Sequence, residues 1–388
     1  MTTPPLHIVM TGCDQTVFSL STPSDTLLRL RDYAARLAAL RPGSHLTYFA
    51  LGAAPTTLPL SEPSLSITPL TGHPSRAALK LPAALSRLHA NHPISLITTQ
   101  TPFEEYWLSL LMGKWVAIPV LVQVHTDLIN ARLACPKTFR GWLQKLRYSM
   151  ALSSLRCASA IRTVSKNLVA SLQHYAGKAP LHNIPVPITM AQSALPRIEE
   201  KIPPTVLYVG RLSPEKNLAL WLNIAAKVHS AIPEARFRLI GEGSERPKLE
   251  RMIRELNLTD VATLEGAKAY NELSDVYRSS AVFLLTSTHE SFGRVLLEAM
   301  MNGTPIVSTA TSGPSELLNS SNAGLLFDEG DISGMSNAII TLLRNTEQRR
   351  TFSNNGEKFS QLFSPAHTSA EWVNLLHATA TPPPNRVF

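Results

Sequence analysis

A chain of 388 residues is longer than one hydrophobic core usually serves and predicts two domains of roughly half that length. With 44% hydrophobic and 16% charged residues it has a soluble globular composition, and three unpatterned cysteines (Cys13, Cys135, Cys157) exclude a disulfide framework or zinc site and fit a reducing compartment. The net charge of +8 is uneven, with 17 Lys/Arg against 7 Asp/Glu up to Met190 and 19 against 21 beyond it, so the first half suits an anionic lipid or phosphorylated acceptor.

Nucleic acid is disfavoured, because no basic motif interleaved with aromatics occurs. Leu6 to Met10 predicts an opening strand ending in Thr11-Gly12-Cys13-Asp14, and helical periodicity runs from Asp25 to Leu40. Leu46 to Leu51 predicts the next strand. The Pro/Ser/Thr-rich segment from Ala53 to Pro74 predicts irregular backbone. Ser95 to Thr98, a helix near Glu104 to Met112 and Val120 to Val124 continue the alternation. The longest apolar stretch, Trp107 to Val124, is interrupted by Gly113, Lys114 and Pro119, so it predicts a helix and a buried strand rather than a bilayer span. No basic and apolar leader opens the chain, and the expected location is cytoplasmic.

The strand at Val120 to Val124 runs into His125-Thr126-Asp127. A histidine there is either packed and hydrogen-bonded or part of a site, and Asp127 either orients it, contacts an acceptor or caps a helix. The segment Lys137 to Arg156 carries Lys137, Arg140, Lys145, Arg147 and Arg156 beside Trp142, Leu143, Leu146 and Met150. It reads either as a basic amphipathic helix lying on an anionic membrane or as a covering helix whose apolar stripe is core. A helix over Thr138 to Leu155, a strand at Ala160 to Val164 and a helix from Ser165, its cap, to Tyr175 complete this half. Such alternation implies a parallel sheet covered on both faces.

Prolines accumulate between Leu181 and Pro204 and periodicity fades, which places a linker at 187–203 between domains at 1–186 and 204–362. Strands are predicted at Val206 to Val209, Arg236 to Ile240, Ala262 to Leu264, Ala281 to Leu285, Pro305 to Val307 and Gly324 to Phe327, alternating with helices. Residues 363–388 supply a last helix, Ala366 to Ala378, with Trp372, Leu375 and Leu376 on one face, and a disordered tail from Pro382. The fold class is therefore α/β, two doubly wound Rossmann-like domains facing a cleft at their strands' carboxyl ends.

Two loops in the second half carry chemistry. After the strand ending at Val209 comes Gly210-Arg211-Leu212-Ser213-Pro214-Glu215-Lys216-Asn217, where Arg211 and Lys216 are either a solvated pair or cations placed for a diphosphate. The second loop follows Leu285. There a helix is predicted from near Phe292 to Gly303, so the amides of Ser291, Phe292 and Gly293 suit a phosphate, and Gly293 lets it approach the backbone. Glu290 and Glu298 are better placed to accept hydrogen bonds from hydroxyls than to bind an anion, and a sugar nucleotide offers both kinds of group. A glycosidase-like acid and nucleophile pair would need carboxyls about 5 Å apart across one bond, for which these positions are poorly suited. Leu239-Ile240-Gly241-Glu242-Gly243 lacks the third glycine of a dinucleotide fingerprint and reads as a turn, together with Gly266 to Lys268.

The string His289-Glu290-Ser291-Phe292-Gly293, with Glu298 seven intervening residues after Glu290, resembles the signature of the retaining GT-B glycosyltransferases grouped as family 4, and G-R-x-x-x-x-K-N resembles that family's donor diphosphate motif. The resemblance implies catalytic roles for His125, Glu290, Arg211 and Lys216. It implies donor contacts from Arg211, Lys216, Gly241, Lys268, Glu290, Ser291, Phe292, Gly293, Val295, Leu296 and Glu298, the last on the ribose. On the acceptor side it implies Gly12, Asp14, Asp127 and Ser165. The Gly-Gly pair that many members carry after the first strand is reduced here to Gly12, so the acceptor side is expected to differ in shape. The implied reaction moves a hexose from a nucleoside diphosphate sugar (GDP-mannose or a UDP-hexose) to a saccharide or polyprenyl- or lipid-linked acceptor, without a metal or other cofactor. Alternatives are a GT-B epimerase or phosphorylase, and a non-catalytic nucleotide-sugar-binding protein.

Overall fold

An apolar run such as Ala281 to Leu285 has no polar face, so it needs cover on both sides, and a parallel sheet wrapped by helices supplies it. The computed structural model describes residues 4–18, 23–190, 192–193 and 204–381. Contacts divide the chain into two units, Met1–Pro187 with Pro365–Phe388, and Ile188–Ser364.

In the first unit, β1 (His7–Gly12), β2 (His45–Ala53), β3 (Leu60–Glu62), β4 (Leu65–Thr71), β5 (Leu96–Thr99), β6 (Val120–Val124), β7 (Ala160–Thr163) and β8 (Leu181–Asn183) lie in the order β3-β4-β2-β1-β5-β6-β7-β8. All neighbours are parallel except β3 and β4. β1, β5, β6 and β7 are buried along their whole length. The connections reverse direction between β1 and β5, so the ends of these two strands flank the switch point where α/β sheets place ligands.

In the second unit, β9 (Thr205–Val209), β10 (Arg236–Ile240), β11 (Ala262–Gly266), β12 (Val282–Leu285), β13 (Ile306–Thr309) and β14 (Gly324–Phe327) form a wholly parallel sheet. Its order, β11-β10-β9-β12-β13-β14, puts the switch point between β9 and β12. Those are the strands that run into Arg211 and Glu290.

The segment expected to be irregular between Ala53 and Pro74 is a β-hairpin instead. β4 extends the first sheet by pairing with β2, Leu46 opposite Leu65 through Ala50 opposite Pro69, and β3 folds back on β4. Pro69 is tolerated because β3 reaches only Ile67, leaving that edge of β4 without a partner to which an N–H would donate.

β8 likewise lies where proline density suggested the approach to a linker, and it pairs with β7. Most of the linker assigned to 187–203, namely residue 191 and residues 194–203, falls outside the described residues, as does the tail from Pro382. The last helix is Ala370–Ala380, and Trp372, Val373, Leu375 and Leu376 enter the same core as Leu27, Leu30 and Leu37 of the helix Asp25–Leu40. No helix among the described residues is long and apolar enough to cross a membrane.

Candidate functional site

The second unit's site is built on main-chain contacts that only glycine permits. The N–H of Gly210 donates to Ile240 (3.0 Å), that of Leu212 to Glu242 (2.9 Å) and that of Gly241 to Gly266 (2.8 Å), tying together the ends of β9, β10 and β11. Gly241 has φ +138°, and a Cβ there would stand 1.9 Å from the Gly210 carbonyl oxygen. Gly241 is therefore a junction in the backbone beneath the loops.

Arg211 and Lys216 leave β9 in different states. The Arg211 side chain is 79% exposed, with Nη2 3.2 Å from Glu215 Oε1. Lys216 ends a short 3₁₀ turn, Pro214–Lys216, and Asn217 turns left-handed (φ +45°) to start the helix Leu218–Ala231. The Thr286 hydroxyl donates to the carbonyls of Lys216 (3.0 Å) and Asn217 (3.1 Å), and the Thr288 N–H donates to Glu215 (2.9 Å). The loops after β9 and β12 are thus stitched together. Lys216, only 15% exposed, reaches across with Nζ 2.7 Å from Glu290 Oε2.

Glu290 is held from four directions. Its Oε2 meets Lys216, its Oε1 accepts from the Gly293 N–H (3.2 Å), and its carbonyl accepts from the Gly313 N–H (2.8 Å) and the Ser312 hydroxyl (3.2 Å). A Cβ on Gly313 would lie 2.6 Å from the Phe292 backbone, so only glycine lets the helix Ser312–Ser321 seat this turn.

The helix after the turn is Arg294–Met301, so it begins later than the predicted start near Phe292. Gly293 takes a left-handed conformation (φ +82°) and its N–H is spent on Glu290. Ser291 to Gly293 are accordingly turn residues rather than a first helical turn. Phe292 is buried against Phe363, with ring centroids 6.2 Å apart. Val295 is half-buried, whereas Leu296 is enclosed in the core with its N–H donating to Gly293 (2.9 Å). Glu298 is buried, accepts from the Tyr277 hydroxyl (3.0 Å) and pairs with Arg294 (3.3 Å). Burial and then the Glu298 carboxylate push the Tyr277 phenol well up, so it stays a donor. Lys268 stands 3.1 Å from Glu265, which also takes Arg238. Lys216 and Glu290 are therefore directly joined, while Arg211, Lys268 and Glu298 each have a different carboxylate or cation as neighbour.

In the first unit, Gly12 ends β1 where a Cβ would meet Gln100 Oε1 at 2.1 Å and the Tyr48 hydroxyl at 2.3 Å. Asp14 accepts from the Thr16 N–H (2.9 Å) and hydroxyl (2.6 Å), closing a local turn. Asp127 caps the helix Leu128–Leu133, accepting from the N–H groups of Ile129 (3.1 Å) and Asn130 (3.0 Å), and Ser165 caps Lys166–Ala176. A residue missed in the sequence reading is Glu105, beside β5. It is buried, accepts from the Thr101 N–H (3.1 Å) and hydroxyl (3.0 Å), and lies 4.0 Å from Cys13 Sγ. Burial lifts its carboxyl to about 7 against those hydrogen bonds. A glutamate in a helix's first turn reads as a solvated, dipole-favoured acid, and nothing local signals its burial.

His125 follows β6. Burial, and then the charges of Arg162 and Arg29, push its imidazole well below the ordinary histidine range, so the ring is neutral at physiological pH. His7, His45 and His182 are lowered too, with burial the largest cause in each. The unfolded chain takes up protons near pH 6.5 that these folded rings refuse, so their contribution to stability diminishes as pH falls through that value. The melting temperature is expected to drop by several degrees between pH 7.5 and pH 5.5, with the His125 ring signals in NMR unshifted over the same range. A His125 titration midpoint near 6.5 would contradict this assignment.

Residues 28–187 match the family model described as Glycosyl transferase 4-like domain, and residues 195–359 match Glycosyl transferases group 1. Among curated relatives, the sulfoquinovosyl transferase SQD2 of Arabidopsis thaliana is 28% identical over 269 residues, covering 66% of this chain and 51% of that protein. The chain thus spans about half the length of this curated relative. Among solved structures, sucrose-phosphate synthase from Thermosynechococcus elongatus superposes with a TM-score of 0.78 at 23% identity, over 96% of this chain and 98% of that one. HepE from Anabaena, solved with UDP and glucose, gives 0.72 at 20% identity over 96% and 100%. At these identities the likeness establishes the fold, two Rossmann-like units of GT-B type.

Proposed function

This chain belongs to the group 1 glycosyl transferases, and from that membership we propose that it moves a hexosyl group from a nucleoside diphosphate sugar, GDP-mannose or a UDP-hexose, to a saccharide or lipid-linked acceptor in cell-envelope or exopolysaccharide synthesis. Transfer proceeds with retention, needs no metal, and takes place in the cytoplasm at the inner face of the plasma membrane. The observation that carries the reading is the 2.7 Å contact of Lys216 with Glu290 at the switch point between β9 and β12.

As the glycosidic bond breaks, negative charge builds on the departing diphosphate and oxocarbenium character on the sugar. The Lys216 ammonium has three donors, of which Glu290 occupies one, so two remain for phosphate oxygens. Exposed Arg211 adds a planar fork from the same loop, and together these cations take the part that a divalent ion would otherwise play. Glu290, fixed through its carbonyl and one carboxylate oxygen, accepts hydrogen bonds from donor-sugar hydroxyls. His125 of the first unit, held neutral, is suited to donating to and accepting from uncharged hydroxyls. The acceptor attacks the face from which the diphosphate leaves, and a phosphate oxygen takes its proton.

A thermal-shift panel of UDP, GDP, ADP and CDP in EDTA tests the donor half. One nucleoside diphosphate at a hundred times its dissociation constant is expected to add about 2.7 kcal/mol of stability. If none shifts the transition, or a shift requires added divalent metal, this reading is wrong. The anomeric configuration of the product, read by NMR coupling constants, tests retention.

A further inference from the structure

The helix Phe139–Ser154 has two apolar faces, and the core takes only one of them. Gly141, Ala151 and Leu152 face inward. At about 100° per residue, Phe139, Trp142, Leu143, Leu146 and Met150 form a stripe on the opposite side. All five are exposed, Phe139 by 77% and Trp142 by 58%. The reading of this stripe as core therefore fails. Its orientation is fixed from behind. Arg147 Nε donates to Glu104 (2.7 Å) with its guanidinium 4.0 Å from the centroid of the Phe103 ring, and a Cβ on Gly141 would stand 1.9 Å from the Pro136 carbonyl oxygen.

We propose that this outward face is a docking surface for an anionic lipid bilayer, with Phe139 and Trp142 entering the headgroup layer and Lys137, Arg140 and Lys145 resting on lipid phosphates. It deepens the reading above by naming the membrane-facing element, and rests on that reading only for the supposition that the acceptor half works at a membrane. The charge pattern selects the occupant. From Leu128 to Met190 the sequence has nine Lys/Arg and no Asp/Glu, so no carboxylate in that segment offsets the three exposed cations beside the stripe. Two copies joined through this face would bring those cations together, whereas an anionic surface neutralises them. Phe139 and Trp142 stack with centroids 6.2 Å apart and planes at 19°, which presents a preformed wedge, and tryptophan favours the water–lipid boundary. Exposed apolar residues rimmed by Lys and Arg on one helix are the pattern that lies in an interface without crossing it.

The test is co-sedimentation of the full chain with vesicles of phosphatidylcholine alone and of phosphatidylcholine mixed equally with phosphatidylglycerol. Wild type is expected on the anionic vesicles at low salt, released at high salt, and absent from the neutral ones. Phe139→Ser with Trp142→Ser should weaken binding at least ten-fold. Neutralising Lys137, Arg140 and Lys145 to Gln should weaken it about five-fold per residue. Both variants alter exposed side chains and should keep the wild-type melting temperature and nucleoside diphosphate shift. Equal binding to neutral vesicles, no binding to either, or variants that bind like wild type would overturn the proposal. So would a dimer in sedimentation equilibrium that the Phe139/Trp142 variant dissolves, since the stripe would then serve a second copy. A missing nucleotide shift with intact vesicle binding would count against the donor reading alone.

Discussion

Replacing Lys216 with alanine is expected to lower kcat for sugar transfer, or for slow hydrolysis of the donor, about 10²–10³-fold, roughly 3–4 kcal/mol, with a smaller change in KM. In the proposed reaction the split follows from timing, because the charge that Lys216 would meet on the diphosphate grows as the bond breaks and is largest in the transition state. The variant also leaves the Glu290 carboxylate with the Gly293 N–H but without its cation, 2.7 Å away in the wild type, and an unpaired negative charge now faces the leaving group. Lys216→Arg should recover only part of the rate, since a planar fork cannot place its charge where the compact ammonium sits. Stability should fall by no more than about 1 kcal/mol, because the pair retains some access to water. A Lys216→Ala enzyme with wild-type kcat would remove the basis for the donor site.

The second large effect concerns stability. Trp372→Ala should destabilise the first unit by about 3–5 kcal/mol. Trp372 is fully buried, meets Tyr33 edge to face with centroids 6.4 Å apart, and lies under the Arg162 guanidinium, 4.3 Å from its ring. Arg162 is itself buried, and donates to the carbonyls of Ile184 (2.8 Å) and Pro185 (2.8 Å) and to Gln123 Oε1 (2.9 Å). Removing the indole opens a cavity and takes away the face that a buried cation rests on, which is worth about 2 kcal/mol when desolvated. Trp372→Phe should cost much less, because an aromatic face remains. Urea unfolding followed by circular dichroism would measure both, and a loss below 1 kcal/mol for the alanine variant would show that the last helix is dispensable to this core.

Much of the architecture was legible because continuous apolar runs have one stable setting. Ala281 to Leu285 has no polar residue and Val120 to Val124 has only Gln123, so both belong in a parallel sheet, and the strands Val120–Val124 and Val282–Leu285 are buried throughout. The hairpin at Leu60 to Thr71 was not legible, since Pro69 and the serines outweigh the alternation of Leu65 and Ile67 until the edge beyond β3 explains the proline. Glu105 carried no signal in the sequence and Glu298 stood out only as an acceptor for hydroxyls, yet the fold buries each with its own partners, Thr101 for the first and Tyr277 with Arg294 for the second. Spacing along a helix reports which residues share a face and is silent on what covers that face.

By itself, then, the sequence determined that two α/β units form, where most of their strands lie, and which loops carry paired cations and carboxylates. Only the tertiary structure decided that Lys216 meets Glu290, 74 positions further along the chain, because that contact depends on β9 and β12 being neighbours in the sheet. It also decided that the aromatic stripe of Phe139–Ser154 faces outward, because a helix with two apolar faces buries whichever one its neighbours can pack against, and here Ala151 and Leu152 enter the core while Arg147 pairs with Glu104 and Tyr148 meets Phe103.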